Sequence, residues 1–254
     1  MGYSKVTIQI PDIRAPFKQG SYSYSNPDTK DANIRMLRNI DSLYGTIVDR
    51  WSPIFEIPRG VIIGFIATES GGRMLSPNKY KATGLMQVTP NAVWECARKW
   101  SSQVEVPLNS SVISTLRSKV GADFFTSRSA TPNSTQQARL LIELQRDANF
   151  NIMCGTLVLR WLIERFSTMF TGAQLNKVMV AYNAGAYLMP LVCNLKIGKE
   201  CEGTIARPDL TPIDSTALAT SRLIPLESRS YLYKMLGQDG FMSLVYKDKA
   251  IRGI

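Results

Sequence analysis

The chain has 254 residues, 44% of them apolar, and carries a net charge of +10 from 30 Lys and Arg against 20 Asp and Glu. It contains no histidine, which excludes Ser-His-Asp and Cys-His catalysis and every His-ligated metal site. The apolar fraction supports a real core, no apolar stretch approaches the ~20 residues that cross a bilayer, and the positive charge favours polyanionic partners such as nucleic acid, anionic lipid or wall polymers.

The Lys and Arg residues are scattered, with no run of five or more, so no specific nucleic-acid partner is indicated. The four cysteines are Cys96, Cys154, Cys193 and Cys201. They form no C-x-x-C pair, which argues against a zinc ribbon, and no cofactor or metal is expected. Cys193 and Cys201 flank a short loop and can either bridge in an oxidising compartment or stay free. The first residues show no apolar core of signal-peptide length, so delivery by another route is expected.

In chain order, residues 1–30 read as an extended arm. Val6, Ile8 and Ile10 alternate like a short strand that Pro11 ends, and a stretch rich in Ser, Tyr, Gly and Pro follows. From Asp31 to about Phe55, Ile34, Leu37, Ile40, Leu43, Ile47, Val48 and Trp51 recur at helical spacing, which predicts an amphipathic helix. A fully apolar run, Val61 to Ala67, lies between Pro58 and Gly71-Gly72 and predicts a buried helix that the two glycines stop. Further helices are predicted over Ala92–Trp100, 109–119 and 134–146. Asn149–Phe170 reads as another, started by Asn149 or Asn151 as the cap. Leu175–Ala184 follows, closed by Gly185, then a proline-rich connection over 186–226, a helix from Glu227 to Leu236 and a last one at 239–247. The chain is thus expected to be mainly α, with residues 31–254 as one helical domain and insertions at about 101–148 and 186–226.

Chemistry concentrates between Glu69 and Pro90. Glu69 ends the apolar helix, at the edge of a glycine turn, where partial desolvation would raise a carboxyl pKa and suit it to general acid work. On spacing alone, a solvated helix-end residue is the commoner state for such a glutamate. The segment up to Pro90 holds no second acidic residue.

Four separated blocks follow in order: Glu69-Ser70-Gly71-Gly72, Gly84-Leu85-Met86-Gln87, Ala181-Tyr182-Asn183-Ala184-Gly185 and Glu227-Ser228-Arg229-Ser230-Tyr231. Asn151-Ile152 with Gly155 forms a fifth between the second and third. Together they resemble the lytic transglycosylases with a soluble, goose-lysozyme-like catalytic domain, over roughly residues 58–237. The chain departs from the family pattern at Gly71-Gly72, where an aromatic or aliphatic residue often stands, and at Thr89, where Met is common.

The resemblance implies a lysozyme-like fold and cleavage of the β-1,4 bond between N-acetylmuramic acid and N-acetylglucosamine, leaving 1,6-anhydromuramic acid ends. Glu69 would be the acid and then the base. Gln87, Tyr182, Asn183, Glu227 and Asn78 would bind substrate, and Ser70 and Tyr231 would support them. Peptidoglycan glycan strands are the implied partner. A bacteriophage virion component acting at the host periplasm or wall, docked to other virion proteins through the arm, is the expected setting. A lysin and an enzyme of conjugation or secretion machinery are the alternative settings. A hydrolytic muramidase is the alternative enzyme, and a basic binding module without catalysis the alternative class.

Overall fold

Proline, glycine and short polar side chains set where the helices of this chain begin and end. The structure, a computed structural model, describes residues 8–9, 28–103, 108–125, 131–165, 173–184, 224–237 and 239–253. Helix α1 spans Asp28–Phe55, α2 Arg59–Ser70, α3 Pro90–Gln103, α4 Ser110–Val120, α5 Ser134–Arg146 and α6 Ala148–Arg165. Helix α7 spans Leu175–Ala184, α8 Leu226–Leu236 and α9 Phe241–Tyr246. The chain is mainly α, as its periodicity predicts. It forms two compact units, one within residues 42–161 and one within 6–41 together with 162–254.

The first unit is built round α2. Its residues from Gly60 to Thr68, and Ser70, are buried, so no amphipathic face can be drawn on it. Val61, Ile62, Ile63, Phe65 and Ile66 lie fully inside, each contributing about 2 kcal/mol of hydrophobic stabilisation. Neighbouring elements are tied to it and to one another by specific bonds. Arg59 at the start of α2 meets Asp49 of α1 at 2.7 Å. The Trp51 indole of α1 donates to Asn149 of α6 at 2.9 Å. Trp94 of α3 meets the edge of Phe124, with ring centroids 4.9 Å apart.

Caps explain the remaining boundaries of this unit. Asn109 accepts from the Ser111 N–H at 2.8 Å to start α4. Asn133 and Gln136 form a reciprocal capping box on α5. Helix α3 begins at Pro90, two residues before the expected Ala92, because Thr89 caps it by accepting from the Ala92 N–H at 3.1 Å. Proline, lacking an N–H, fits the first helical position. The start of α6 also corrects the sequence reading. Its cap is Asp147, which accepts from the Phe150 N–H at 3.0 Å, whereas Asn149 bonds Trp51 and Asn151 lies inside the helix. Lys119 of α4 reaches Asp147 at 2.8 Å and the buried Glu143 at 3.1 Å. Cys96 and Cys154 are buried, and Cys154 is a free thiol. Burial pushes the Cys154 thiol well above its ordinary value, so it is no nucleophile at neutral pH.

In the second unit, β1 (Ile8–Gln9) pairs in parallel with β2 (Ala173–Gln174), Ile8 opposite Ala173. The alternation over Val6–Ile10 predicted β1 but gave no hint of its two-residue partner. Helix α8 packs on α7 and α9. Helix α1 starts at Asp28, three residues earlier than expected, and Lys30 in its first turn pairs with Asp248 at 3.2 Å. The buried Asp41 carboxylate accepts from the Arg252 N–H at 3.1 Å. The expected arm apart from 8–9 and 28–30, residues 166–170 of the expected long helix, Gly185, most of the 186–226 insertion, and Cys193 with Cys201 lie outside the described residues.

The Asp147 site gives a stability prediction with a defined sign. Burial acts to raise the Asp147 carboxyl, and the Lys119 and Phe150 N–H bonds outweigh it, so the net shift is downward from 3.8. A carboxyl lowered on folding stabilises above its unfolded value and loses that contribution as pH falls through its folded value. Asp147→Asn keeps the cap and loses the ion pair. Its urea midpoint is expected below wild type at pH 7, with the gap closing below about pH 3.8. Asp147→Ala should lose about 1 kcal/mol more than Asp147→Asn at every pH, through the lost cap. A gap that widens in acid would overturn this account.

Candidate active site

Glu69 is the exception on α2. In a helix otherwise buried from Gly60 onward, it alone is half-exposed. The residues on either side are hydroxyls turned back into the helix: Thr68 Oγ donates to the Gly64 carbonyl at 2.8 Å and Ser70 Oγ to the Ile66 carbonyl at 3.1 Å. Both are buried, so the carboxylate is the polar group this helix end offers to solvent.

The stop after Glu69 is rigid for reasons visible atom by atom. Gly71 and Gly72 have φ of 63° and 79°, the left-handed region that a side chain disfavours. Ser70 Oγ also accepts from the Gly72 N–H at 3.1 Å, the Gly71 N–H closes on the Ala67 carbonyl at 3.1 Å, and the Tyr44 hydroxyl donates to the Gly72 carbonyl at 3.3 Å. Two consecutive left-handed residues account for glycine where the resembling family often has a bulky one.

Gln87 belongs to a second turn, closed by reciprocal backbone bonds between Thr83 and Val88 at 3.2 Å. Gly84 and Gln87 both adopt left-handed backbone, φ 77° and 45°. The Gln87 amide nitrogen donates to the Gly84 carbonyl at 2.9 Å, which leaves its oxygen as the end able to accept from a ligand. The turn is held from behind by Asn151, buried in α6. Its oxygen accepts from the Met86 N–H at 2.9 Å, and its nitrogen donates to the Thr83 carbonyl at 3.0 Å and the Leu144 carbonyl at 2.8 Å. A side chain at Gly84 would overlap Asn151 and the Leu144 carbonyl, and one at Gly155 would overlap Met86. Two of the five sequence blocks thus meet as one packed unit.

Asn78 is exposed, and its oxygen accepts from the Tyr80 and Ala82 N–H groups at 2.8 and 3.1 Å. That commits the acceptor end of its amide to its own loop. In the second unit, the half-exposed Tyr182 and Asn183 end α7, and Asn183 accepts from the Ser228 hydroxyl at 2.7 Å. Glu227, beside Ser228, is exposed in the first turn of α8, while Tyr231 one turn on is buried. The Asn183–Ser228 bond brings the third and fourth blocks together, a pairing that nothing in the sequence marked. Among the described residues there is no cluster of three or more His, Cys, Asp or Glu able to hold a metal, and no helix long and apolar enough to cross a membrane.

The chain's fold is shared with a known enzyme. It matches an inactive mutant of the lytic transglycosylase Slt from Pseudomonas aeruginosa with a TM-score of 0.51 and 15% identity, over 91% of this chain and 27% of that one. The 70 kDa soluble lytic transglycosylase from Escherichia coli matches with a TM-score of 0.45 and 18% identity, over 87% of this chain and 28% of that one. The first match shows a common mainly helical fold. The chain spans just over a quarter of the length of either protein. No protein-family profile matches it, and no curated protein does.

Asn151→Ala removes three buried hydrogen bonds and is expected to cost about 3 kcal/mol, at ~1 kcal/mol each. Asn151→Asp should be nearly as harmful, because a carboxylate cannot donate to two carbonyls. Urea unfolding at pH 7 measures both, and a loss well under about 1 kcal/mol for Asn151→Ala would mean the turn holds without its clamp.

Proposed function

We propose that the chain is a peptidoglycan lytic transglycosylase with Glu69 as its acid and base. The observation that carries this is the half-exposed carboxylate at the end of an otherwise buried helix, held by a double-glycine stop. The fold it shares with Slt supports the reading, as does the fact that the matched Slt structure is an inactive mutant carrying Gln in place of a glutamate.

In the proposed reaction the Glu69 carboxyl gives its proton to the glycosidic oxygen as the C1–O bond of N-acetylmuramic acid breaks. The substrate's acetamido group stabilises the positive charge that develops at C1. The Glu69 carboxylate then takes the proton of the 6-hydroxyl as O6 closes on C1. One C–O bond is exchanged for another, no water is consumed, and the carboxyl returns to its starting state. Common hydrolytic routes need a second carboxylate as nucleophile or as base for water, and the stretch from Glu69 to Pro90 supplies none. In this reading Gln87 offers its amide oxygen to the sugar, and Tyr182, Asn183, Glu227 and Asn78 contribute glycan binding.

The setting that fits a basic chain with a Ser-, Tyr- and Pro-rich N-terminal stretch is a phage particle component that opens the wall locally. Copurification of the protein with particles tests that separately.

Glu69→Gln is expected to lower release of muropeptides from purified sacculi by at least about a thousandfold while leaving the thermal unfolding transition intact. Products of the wild-type enzyme are expected to resist borohydride reduction, as anhydro ends do. Predominantly reducible ends would assign the chain to hydrolysis, and a lytic Glu69→Gln variant would remove Glu69 from its role.

A further inference from the structure

Between Leu75 and Gly84 the chain forms a hairpin whose tip carries an aromatic ring into solvent. Its base is closed on the Leu75 carbonyl, which accepts from the Gly84 N–H at 2.8 Å and the Thr83 hydroxyl at 2.9 Å. Above that rung the Asn78 N–H donates to the Ala82 carbonyl at 3.0 Å, and the Lys81 N–H donates to the Asn78 carbonyl at 2.9 Å. With the two bonds to the Asn78 side chain, the five residues from Asn78 to Ala82 have little freedom left.

Two features of this tip run against stability. Lys81 has a left-handed backbone, φ 64°, which costs a residue with a side chain about 1 kcal/mol. Tyr80 is 71% exposed, the largest exposure of any bulky apolar side chain among the described residues. The loop is nevertheless anchored. The Lys81 ammonium donates to Gln137 on α5 at 2.7 Å, and Gln137 in turn donates to Asn91 on α3 at 3.3 Å. Lys79 rests over the Tyr80 ring, 4.9 Å from its centroid, so the cation and the ring form one unit. A fixed, strained hairpin that displays an aromatic ring beside a lysine is built to hold something.

We propose that Tyr80 and Lys79 form an accessory glycan subsite for the same substrate. A pyranose ring stacks its apolar C–H face on the Tyr80 ring, and Lys79 takes a carboxylate of the peptide stem that the muramic acid carries. Pyranose rings present such a face in every repeat, so stacking suits a polymer whose register on the protein shifts. The carboxylates add the anionic partner that a lysine beside the ring calls for. The hairpin leads straight into Gly84 and the Gln87 turn, so a strand held at its tip is held on the segment that begins with Glu69. This inference rests on the wall-glycan reading of the site.

The test uses Glu69→Gln as a non-cleaving parent and measures its binding to purified sacculi by sedimentation. Tyr80→Ala in that background is expected to weaken binding about five- to tenfold, Tyr80→Phe to leave it within about twofold. Lys79→Met is expected to weaken binding to sacculi but not to glycan chains stripped of their peptides. Ile142→Ala, which removes a 52% exposed aliphatic side chain on α5, is the control and should change nothing. Unchanged binding by Tyr80→Ala overturns the subsite, as does an equal loss in Ile142→Ala, which would mean nonspecific adhesion. An equal loss in Tyr80→Phe would replace stacking by a hydroxyl contact. If wild-type protein neither binds nor cleaves sacculi, the wall-glycan reading itself fails, and the subsite falls with it.

Discussion

The Asn151 amide is the constraint on which the rest of the first unit depends. Backbone between Thr83 and Met86 is buried, and an unpaired buried N–H or carbonyl costs about as much as a lost hydrogen bond. One side chain, entering from α6, supplies an acceptor and two donors in the right places. That requirement propagates outward. Gly84 must lack a side chain to admit the amide, Gly155 must lack one to admit Met86, and Gln87 is left at the open end of the turn. A short motif spread over two sequence blocks is therefore one piece of packing.

Much of this fold is legible in the sequence because its boundaries are made by local chemistry. Pro58 and Gly71-Gly72 bracket α2, and Asn109 and Asn133 open α4 and α5, so the pattern of breakers and caps reads directly as helix ends. What was not legible depends on contacts distant in the chain. Asparagine near a helix start is ordinarily a cap, and nothing within a few residues of Asn151 says that its partners lie at Thr83 and Met86. Asp147 hid for a different reason: it closes α5 and opens α6 at once, and it is the single residue between the two helices. Strand β2 has two residues, too few for any alternation to register.

At the site, the sequence singled out the carboxylate correctly as a helix-end residue but could not say which way it faced. The structure answers through its neighbours. Thr68 and Ser70 spend their hydroxyls on helix carbonyls and stay inside, while Glu69 is half-exposed. Tyr80 is the reverse case, an aromatic that composition alone would assign to the core and that the Asn78 hairpin instead holds outside.

The burial of α2 ties the proposed acid to the most cooperative part of its unit. Loops and lids can open on their own at small free-energy cost, but a helix buried on every side opens only when the surrounding core does. The backbone that carries the carboxylate therefore has no folded, displaced state to visit. Heat or denaturant would remove the placement of the proposed acid and the tertiary structure of its unit in one event.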